Sequence, residues 1–224
     1  MGIKDSENIK YYDDRKDFIT YAKEAIGQSP LKIKIKKLEK NAIIPTYAHD
    51  GDVGMDLTAI SVEYDRENDM YIYHTGIAVE SEKHYGIFLF PRSSNRETNA
   101  YLCNHVGIVD SAIYRGEIMF CYKNRTSLET LANNEKINYL FNSSWKPFTV
   151  SSGDTVTFTW NETIKSANDA GNWILDNPMN FAPYKVGNRI GQMVVLPYPN
   201  VKITEVGELS ETERGSNGFG STGN

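Results

Sequence analysis

Five short segments of this 224-residue sequence combine residue types able to handle phosphate or water. Near the C-terminus, Arg214 to Gly223 reads RGSNGFGSTG. Gly215, Gly218, Gly220 and Gly223 let backbone approach an anion closely, and Arg214, Ser221 and Thr222 supply donors. Phe219, the lone aromatic of the stretch, has no core to enter and suits stacking on a flat ring such as a nucleobase. The same composition also describes a free Gly/Ser arm, and the segment alone does not separate the two. PRSSN, Pro91 to Asn95, follows the apolar run GIFLF and sets the guanidinium of Arg92 and the hydroxyls of Ser93 and Ser94 at a strand end, where such groups hold phosphoryl oxygens or cap a turn. Asn104 to Ile118, NHVGIVDSAIYRGEI, reads as two strands joined by a polar turn, with Asp110 closing the apolar stretch Val106 to Val109. A carboxylate there caps a turn or orients a water for attack on phosphorus. In DVGMDLTA, Asp52 to Ala59, Asp56 sits between Met55 and Leu57, and a carboxylate buried in such a strand needs a partner; an arginine from elsewhere in the chain would serve. VGNRIGQMVV, Val186 to Val195, carries Arg189 and Gln192 into an apolar strand, a position whose polar residues usually have structural roles.

The elements that must position these residues are short and β-prone. Between turn residues lie IYHTGIAV (Ile72 to Val79), GIFLF (Gly86 to Phe90), GEIMFCY (Gly116 to Tyr122), TVTFTW (Thr155 to Trp160) and QMVVLPY (Gln192 to Tyr198). This is an all-β pattern, predicting a jelly-roll or sandwich rather than alternating βαβ units. Leu31 to Lys40, LKIKIKKLEK, alternates lysine with apolar residues at a period of two, as a half-buried strand with a solvated, charged face does. Upstream, Phe18, Ile19, Ala22 and Ile26 recur at helical spacing and predict a short amphipathic helix from about Asp13 to Ile26, ended by Gly27 and Pro30. The organisation expected is an N-terminal extension over 1–30, a β domain over 31–210 and a flexible arm over 211–224.

Composition narrows the function classes. Lys and Arg total 24 against 29 Asp and Glu, a net charge of −5, which argues against general binding of nucleic-acid backbone. No apolar run reaches the roughly 18 residues that a membrane helix needs. The opening MGIKDSENIK lacks a secretory pattern and the sequence has only two cysteines, so a reducing, cytoplasmic setting (the host cytoplasm, for a viral protein) is expected without disulfides or membrane contact. His49, His74, His84 and His105 show no metal-ligand spacing with one another or with the cysteines.

Taken in order, DVGMDLTA, PRSSN, NHVGIVDSAIYRGEI, VGNRIGQMVV and RGSNGFGSTG resemble the five motifs of the trimeric dUTP pyrophosphatase (dUTPase) family, over about Leu31 to the C-terminus. The resemblance implies a jelly-roll subunit in a homotrimer whose active sites are each built from three chains. It implies hydrolysis of dUTP to dUMP and pyrophosphate, which limits uracil in DNA and supplies dUMP for thymidylate synthesis. Asn104, Gly107 and their neighbours would read uracil, and Tyr114 under the deoxyribose would exclude UTP. Asp110 would direct water in line at the α-phosphorus; an ordinary carboxylate is a weak base at neutral pH, so its positioning should matter more than its basicity. Ser93, with Ser94 beside it, would stabilise the leaving group, and Arg92 and Gln192 would hold the triphosphate. Mg²⁺ would chelate the phosphate oxygens, with Asp56 reaching it indirectly through water. Arg214, Gly220, Ser221 and Thr222 would close over the γ-phosphate and Phe219 over uracil, making the tail a lid.

Two departures from the family pattern stand out. Three residues, Ser111, Ala112 and Ile113, separate Asp110 from Tyr114, one more than usual, so a bulge or shifted turn must bring Tyr114 back. An insertion at about 124–184, rich in Trp145, Phe148, Phe158, Trp160, Trp173 and Phe181, is too aromatic for a disordered loop. It resembles the extra segment of certain bacteriophage dUTPases, some of which bind regulatory proteins; a β-extension at the trimer's rim is the plainer expectation. Two rival functions are a dCTP deaminase, which shares the fold but needs a catalytic glutamate, and a nucleotide-sensing protein that uses the insertion to bind a partner.

Overall fold

The computed structural model describes residues 31–133, 149–151, 155–157, 167–199, 201–212 and 215–216. The helix expected at Asp13 to Ile26, and Arg214, Phe219, Gly220, Ser221 and Thr222 of the tail, lie outside the described residues. Along the chain run β1 (Lys34–Lys37), β2 (Met55–Thr58), β3 (Ser61–Asp65), β4 (Met70–His74), β5 (Ile77–Glu80), β6 (Tyr85–Phe90), a 3-10 turn (Ser93–Glu97), β7 (Ala100–Leu102), β8 (Gly107–Val109) and β9 (Met119–Asn124). Helix α1 (Leu128–Ala132), the hairpin β10 (Thr149–Ser151) and β11 (Thr155–Thr157), helix α2 (Ala167–Asp176), a second 3-10 turn (Pro178–Phe181) and β12 (Arg189–Pro197) follow.

All the strand pairs among the described residues are antiparallel, in agreement with the all-β expectation. One sheet has the order β2-β12-β6-β8 and the other β3-β4-β9-β7, with β1 and β5 forming a separate pair. The alternation read in the lysine-rich strand is realised: Lys32, Lys34 and Lys36 are exposed, while Ile33 and Ile35 are half-buried. The two four-stranded sheets share one core, in which Leu57, Ile87, Ile190 and Met193 of one meet Tyr71, Tyr73, Phe120 and Tyr122 of the other. Three of these core residues are phenols, and each has a partner: Tyr71 Oη donates to Pro178 O at 2.8 Å, Tyr73 Oη to Tyr184 O at 3.0 Å and Tyr122 Oη to Ile190 O at 2.7 Å. Burial pushes all three hydroxyls up, which keeps them neutral donors.

The run Ile72 to Val79, expected as one strand, is two strands in different sheets. It breaks at Thr75 and Gly76, where Gly76 has φ +68° and a Cβ would collide with Ile60 Cδ1. Glu117 occupies the corner, accepting from Gly76 N at 2.7 Å and contacting His74 Nδ1 at 2.9 Å.

Where a β-extension is expected, the described part of the insertion holds two helices and a 3-10 turn beside the hairpin β10-β11. Ser127 caps α1, its hydroxyl accepting from Thr130 N at 3.0 Å. Leu128, Leu131, Ala170 and Ile174 make a second small core, and Gly171 lets α2 approach so closely that a Cβ there would lie 2.8 Å from Ala132 O. The unit is tied to the body by Arg66 Nη2 donating to Leu175 O at 2.9 Å and Asn124 Nδ2 to Phe181 O at 3.0 Å. Trp145, Phe148, Phe158 and Trp160 lie outside the described residues. Among the described residues no helix is long and apolar enough to cross a membrane, and Cys103 and Cys121 are free thiols.

Candidate functional site

Strand β12 joins three of the five segments because it is hydrogen-bonded to β2 on one side and β6 on the other. Gln192 lies opposite Asp56 in one ladder and opposite Phe90 in the other, and Arg92 follows Phe90 by two residues. The side chains converge on Asp56. Arg92 Nε donates to its Oδ1 at 2.8 Å, Arg189 Nη1 to its Oδ2 at 2.8 Å, and Gln192 Nε2 reaches Oδ1 at 3.4 Å. Gly54 makes room for Gln192, whose side chain would come within 3.1 Å of a Cβ at that position.

The Asp56 side chain is 11% exposed. Desolvation works to raise its pKa, but the Arg189 hydrogen bond, the Arg92 charge and hydrogen bond, and the Gln192 contact together hold it below the usual carboxylate value. Asp56 is therefore a fixed anion. Two guanidiniums around one carboxylate leave a net formal charge of +1, so the cluster favours a further anion. A cleft of about 370 Å³ beside it is lined by Arg92, Ser94, Glu97, Thr98, Tyr184, Asn188 and Arg189, among others, and the Glu97 carboxylate lies 3.6 Å from Arg96 Nη2. Its wall is set by Tyr184, whose hydroxyl donates to Asn95 Oδ1 at 2.7 Å. Ser93 is exposed at the start of the 3-10 turn, and Ser94 Oγ lies 3.4 Å from Arg92 Nη1.

Arg189, noted in the sequence only as a strand-entry residue, is a principal member of the cluster. A regular strand would turn residues 189 and 192 to opposite faces. The ladder with β2 slips between Arg189 and Gly191, so that Arg189 pairs with Thr58 while Gln192 pairs with Asp56, and both point to one face. Tyr184 and Asn188 carried no sequence signal for this cleft.

The Asp110 segment lies elsewhere in the chain. Val109 pairs with Ile87, so Asp110 falls opposite the start of β6, whereas Gln192 pairs with Phe90 at its end. That separates them by about 13 Å along β6 and about 10 Å across two strand spacings. None of residues 104–114 lines the Arg92 cleft. Asn104 is exposed in the turn before β8, and Gly107 is buried against Leu89, whose Cβ would lie 3.0 Å from a Cβ added at Gly107. The stretch 104–118 is not a two-stranded hairpin: after β8 the chain turns, and its next strand, β9, joins the other sheet. The extra residue before Tyr114 is taken up in that turn, where Asp110 O accepts from Ile113 N at 2.9 Å and Tyr114 N at 2.7 Å. Tyr114 folds over Gly116, with its hydroxyl 3.2 Å from Glu117 O.

A sequence model described as dUTPase matches residues 40–138 and 179–223. The chain belongs to the dUTPase family. The match is interrupted over 139–178, inside the insertion of this dUTPase. A deoxyuridine 5'-triphosphate nucleotidohydrolase of Alkaliphilus metalliredigens is 30% identical over 192 residues, covering 85% of this chain and 96% of the relative. One from Trichodesmium erythraeum is 30% identical over 194 residues, covering 86% and 99%. Among solved structures, the Staphylococcus bacteriophage 80alpha dUTPase with dUPNHPP shares the fold at a TM-score of 0.57 and 20% identity, over 86% of this chain and 98% of that one. A mutant of the same phage enzyme with dUpNHpp gives 0.55 at 21% identity, over the same shares of the two chains.

Proposed function

We propose that the chain hydrolyses dUTP to dUMP and pyrophosphate, a reading supported by its membership of the dUTPase family and by relatives named as deoxyuridine 5'-triphosphate nucleotidohydrolases. The observation that carries this reading is the Asp56 cluster, which draws Arg92 from one segment and Arg189 and Gln192 from another into one preorganised anion site. Arg92 and Gln192 hold the triphosphate there, and Ser93 and Ser94 bond the oxygens on which charge grows as pyrophosphate leaves. Asp110 orients the attacking water, Asn104 and Gly107 read uracil, and Tyr114 crowds the 2′ position of the sugar. Arg214, Gly220, Ser221 and Thr222 close on the γ-phosphate with Phe219 over the base.

The distance between Asp110 and Gln192 along and across the sheet supports a site assembled from more than one chain, and we take the assembly to be a homotrimer. Among the described residues no three His, Cys, Asp or Glu side chains group as metal ligands, and both Asp56 oxygens already accept from guanidinium. Direct ligation by Asp56 does not fit; contact through water does, by way of its remaining lone pairs. Mg²⁺ bound with the substrate would supply charge neutralisation during transfer.

The test is pyrophosphate release from each nucleoside triphosphate with Mg²⁺, repeated for Asp110→Asn. Release from dUTP alone, falling by about 10²–10⁴-fold in the variant, is expected. Ammonia from dCTP, or an unchanged rate in Asp110→Asn, would sink the proposal.

A further inference from the structure

The turn that carries Asp110 is held from outside by one side chain with no role so far. Arg115 Nη1 donates to Ser111 O at 3.1 Å and Tyr114 O at 2.8 Å, and Nη2 donates to Ala112 O at 3.2 Å. The same Nη2 lies 3.3 Å from Glu80 Oε2, and Glu80 Oε1 accepts from Lys34 Nζ at 2.6 Å. On the inner side Ser111 is buried, its hydroxyl 2.5 Å from that of Ser81, which donates in turn to Tyr85 O at 2.8 Å. Glu80 and Ser81 are consecutive residues at the end of β5, so both holds on the turn come from one short stretch of backbone.

The arrangement has a physical reason. The three residues between Asp110 and Tyr114 lie outside the strand ladders: Ser111 O also accepts from Ser81 N at 3.4 Å, whereas without Arg115 the carbonyls of Ala112 and Tyr114 would be left to water in many conformations. A planar guanidinium offers several N–H donors in a fixed fork, so binding the Ser111, Ala112 and Tyr114 carbonyls at once fixes their relative directions. With its side chain half exposed, the charge pair with Glu80 is screened and serves mainly to aim the fork.

We infer that Arg115 is a positioning residue that sets the distance between Asp110 and Tyr114, and through it both turnover and the choice of deoxyribose over ribose. The inference rests on the dUTP hydrolysis proposed above for its kinetic part, but not for its structural part. Two variants, Arg115→Ala and Arg115→Lys, test it. Hydrogen exchange should quicken on the order of tenfold at the Ile113 and Tyr114 amides in Arg115→Ala, with a smaller rise in Arg115→Lys and parent-like exchange in the β2-β12-β6 strands. The kcat for dUTP should drop by about 10–100-fold, as small misplacements of catalytic groups do, with KM changing far less. The preference for dUTP over UTP should narrow. Parent-like exchange in the turn of both variants overturns the inference whether or not the protein hydrolyses dUTP, and so does a parent-like kcat with unaltered sugar preference. A parent protein that releases no pyrophosphate from dUTP removes the proposed function and leaves the exchange measurement to judge Arg115. Should Arg115→Ala fail to fold, Arg115→Lys carries both measurements, since an ammonium keeps the charge but has no planar fork with donors on two separate nitrogens.

Discussion

Replacing Asp56 by asparagine keeps the shape of the side chain and removes the charge that holds two guanidiniums together. The structure sets the magnitude. Asp56 accepts two charge-assisted bonds at 2.8 Å and its side chain is 11% exposed, but Arg189 is 54% exposed and therefore screened. The loss belongs between an exposed ion pair, up to about 1 kcal/mol, and a broken buried pair, about 3–5 kcal/mol; we expect about 2–3 kcal/mol at neutral pH. For a chain of this size that is a fall of about 4–12 °C in Tm. The pH dependence follows from linkage. The folded pKa of Asp56 lies below its ordinary value of 3.8, so the unfolded chain takes up the proton first as pH falls. The stabilisation is complete above the unfolded value and fades as pH drops below it towards the folded one. Thermal unfolding of parent and Asp56→Asn, followed by calorimetry from pH 7 downward, should show a constant gap to about pH 5 that narrows below about 4. Identical melting at pH 7 would refute the reasoning, and so would a gap that stays constant through the acid range.

Gly191→Ala should lower stability by about 1–3 kcal/mol, read by denaturant titration. The new methyl runs into the Phe120 ring, which is buried and stacked on Tyr122 with centroids 6.4 Å apart, so it has no free direction to yield. The same variant should weaken dUTP binding, because Gly191 stands between Arg189 and Gln192 at the slipped register. A chain ending at Glu213 should melt within about 1 °C of the parent while pyrophosphate release collapses, since a lid excludes water without adding to the core. Full activity after that truncation would remove the lid from the mechanism.

The sequence by itself determined what depends on local pattern. Period-two alternation placed the lysine-rich strand, and apolar runs bounded by turn residues located β6, β9 and β12 to within a few residues. The need of a strand-bound carboxylate for a partner pointed to an arginine for Asp56, although not to which one. The order of five segments indicated the family to which the chain belongs. The tertiary structure decided the rest. The break of Ile72 to Val79 into two sheets depends on a left-handed Gly76 packed beside Ile60 and on Glu117 arriving from 41 residues downstream. The helical part of the described insertion depends on a core shared by residues some forty positions apart. Whether Arg189 faces Asp56 or turns away from it depends on a single slip in pairing with β2, and register is a property of two strands together. The separation of Asp110 from the Arg92 cleft likewise follows from how β8 and β12 flank β6, a relation that no one segment encodes, because it is set by backbone hydrogen bonds between strands far apart in the chain.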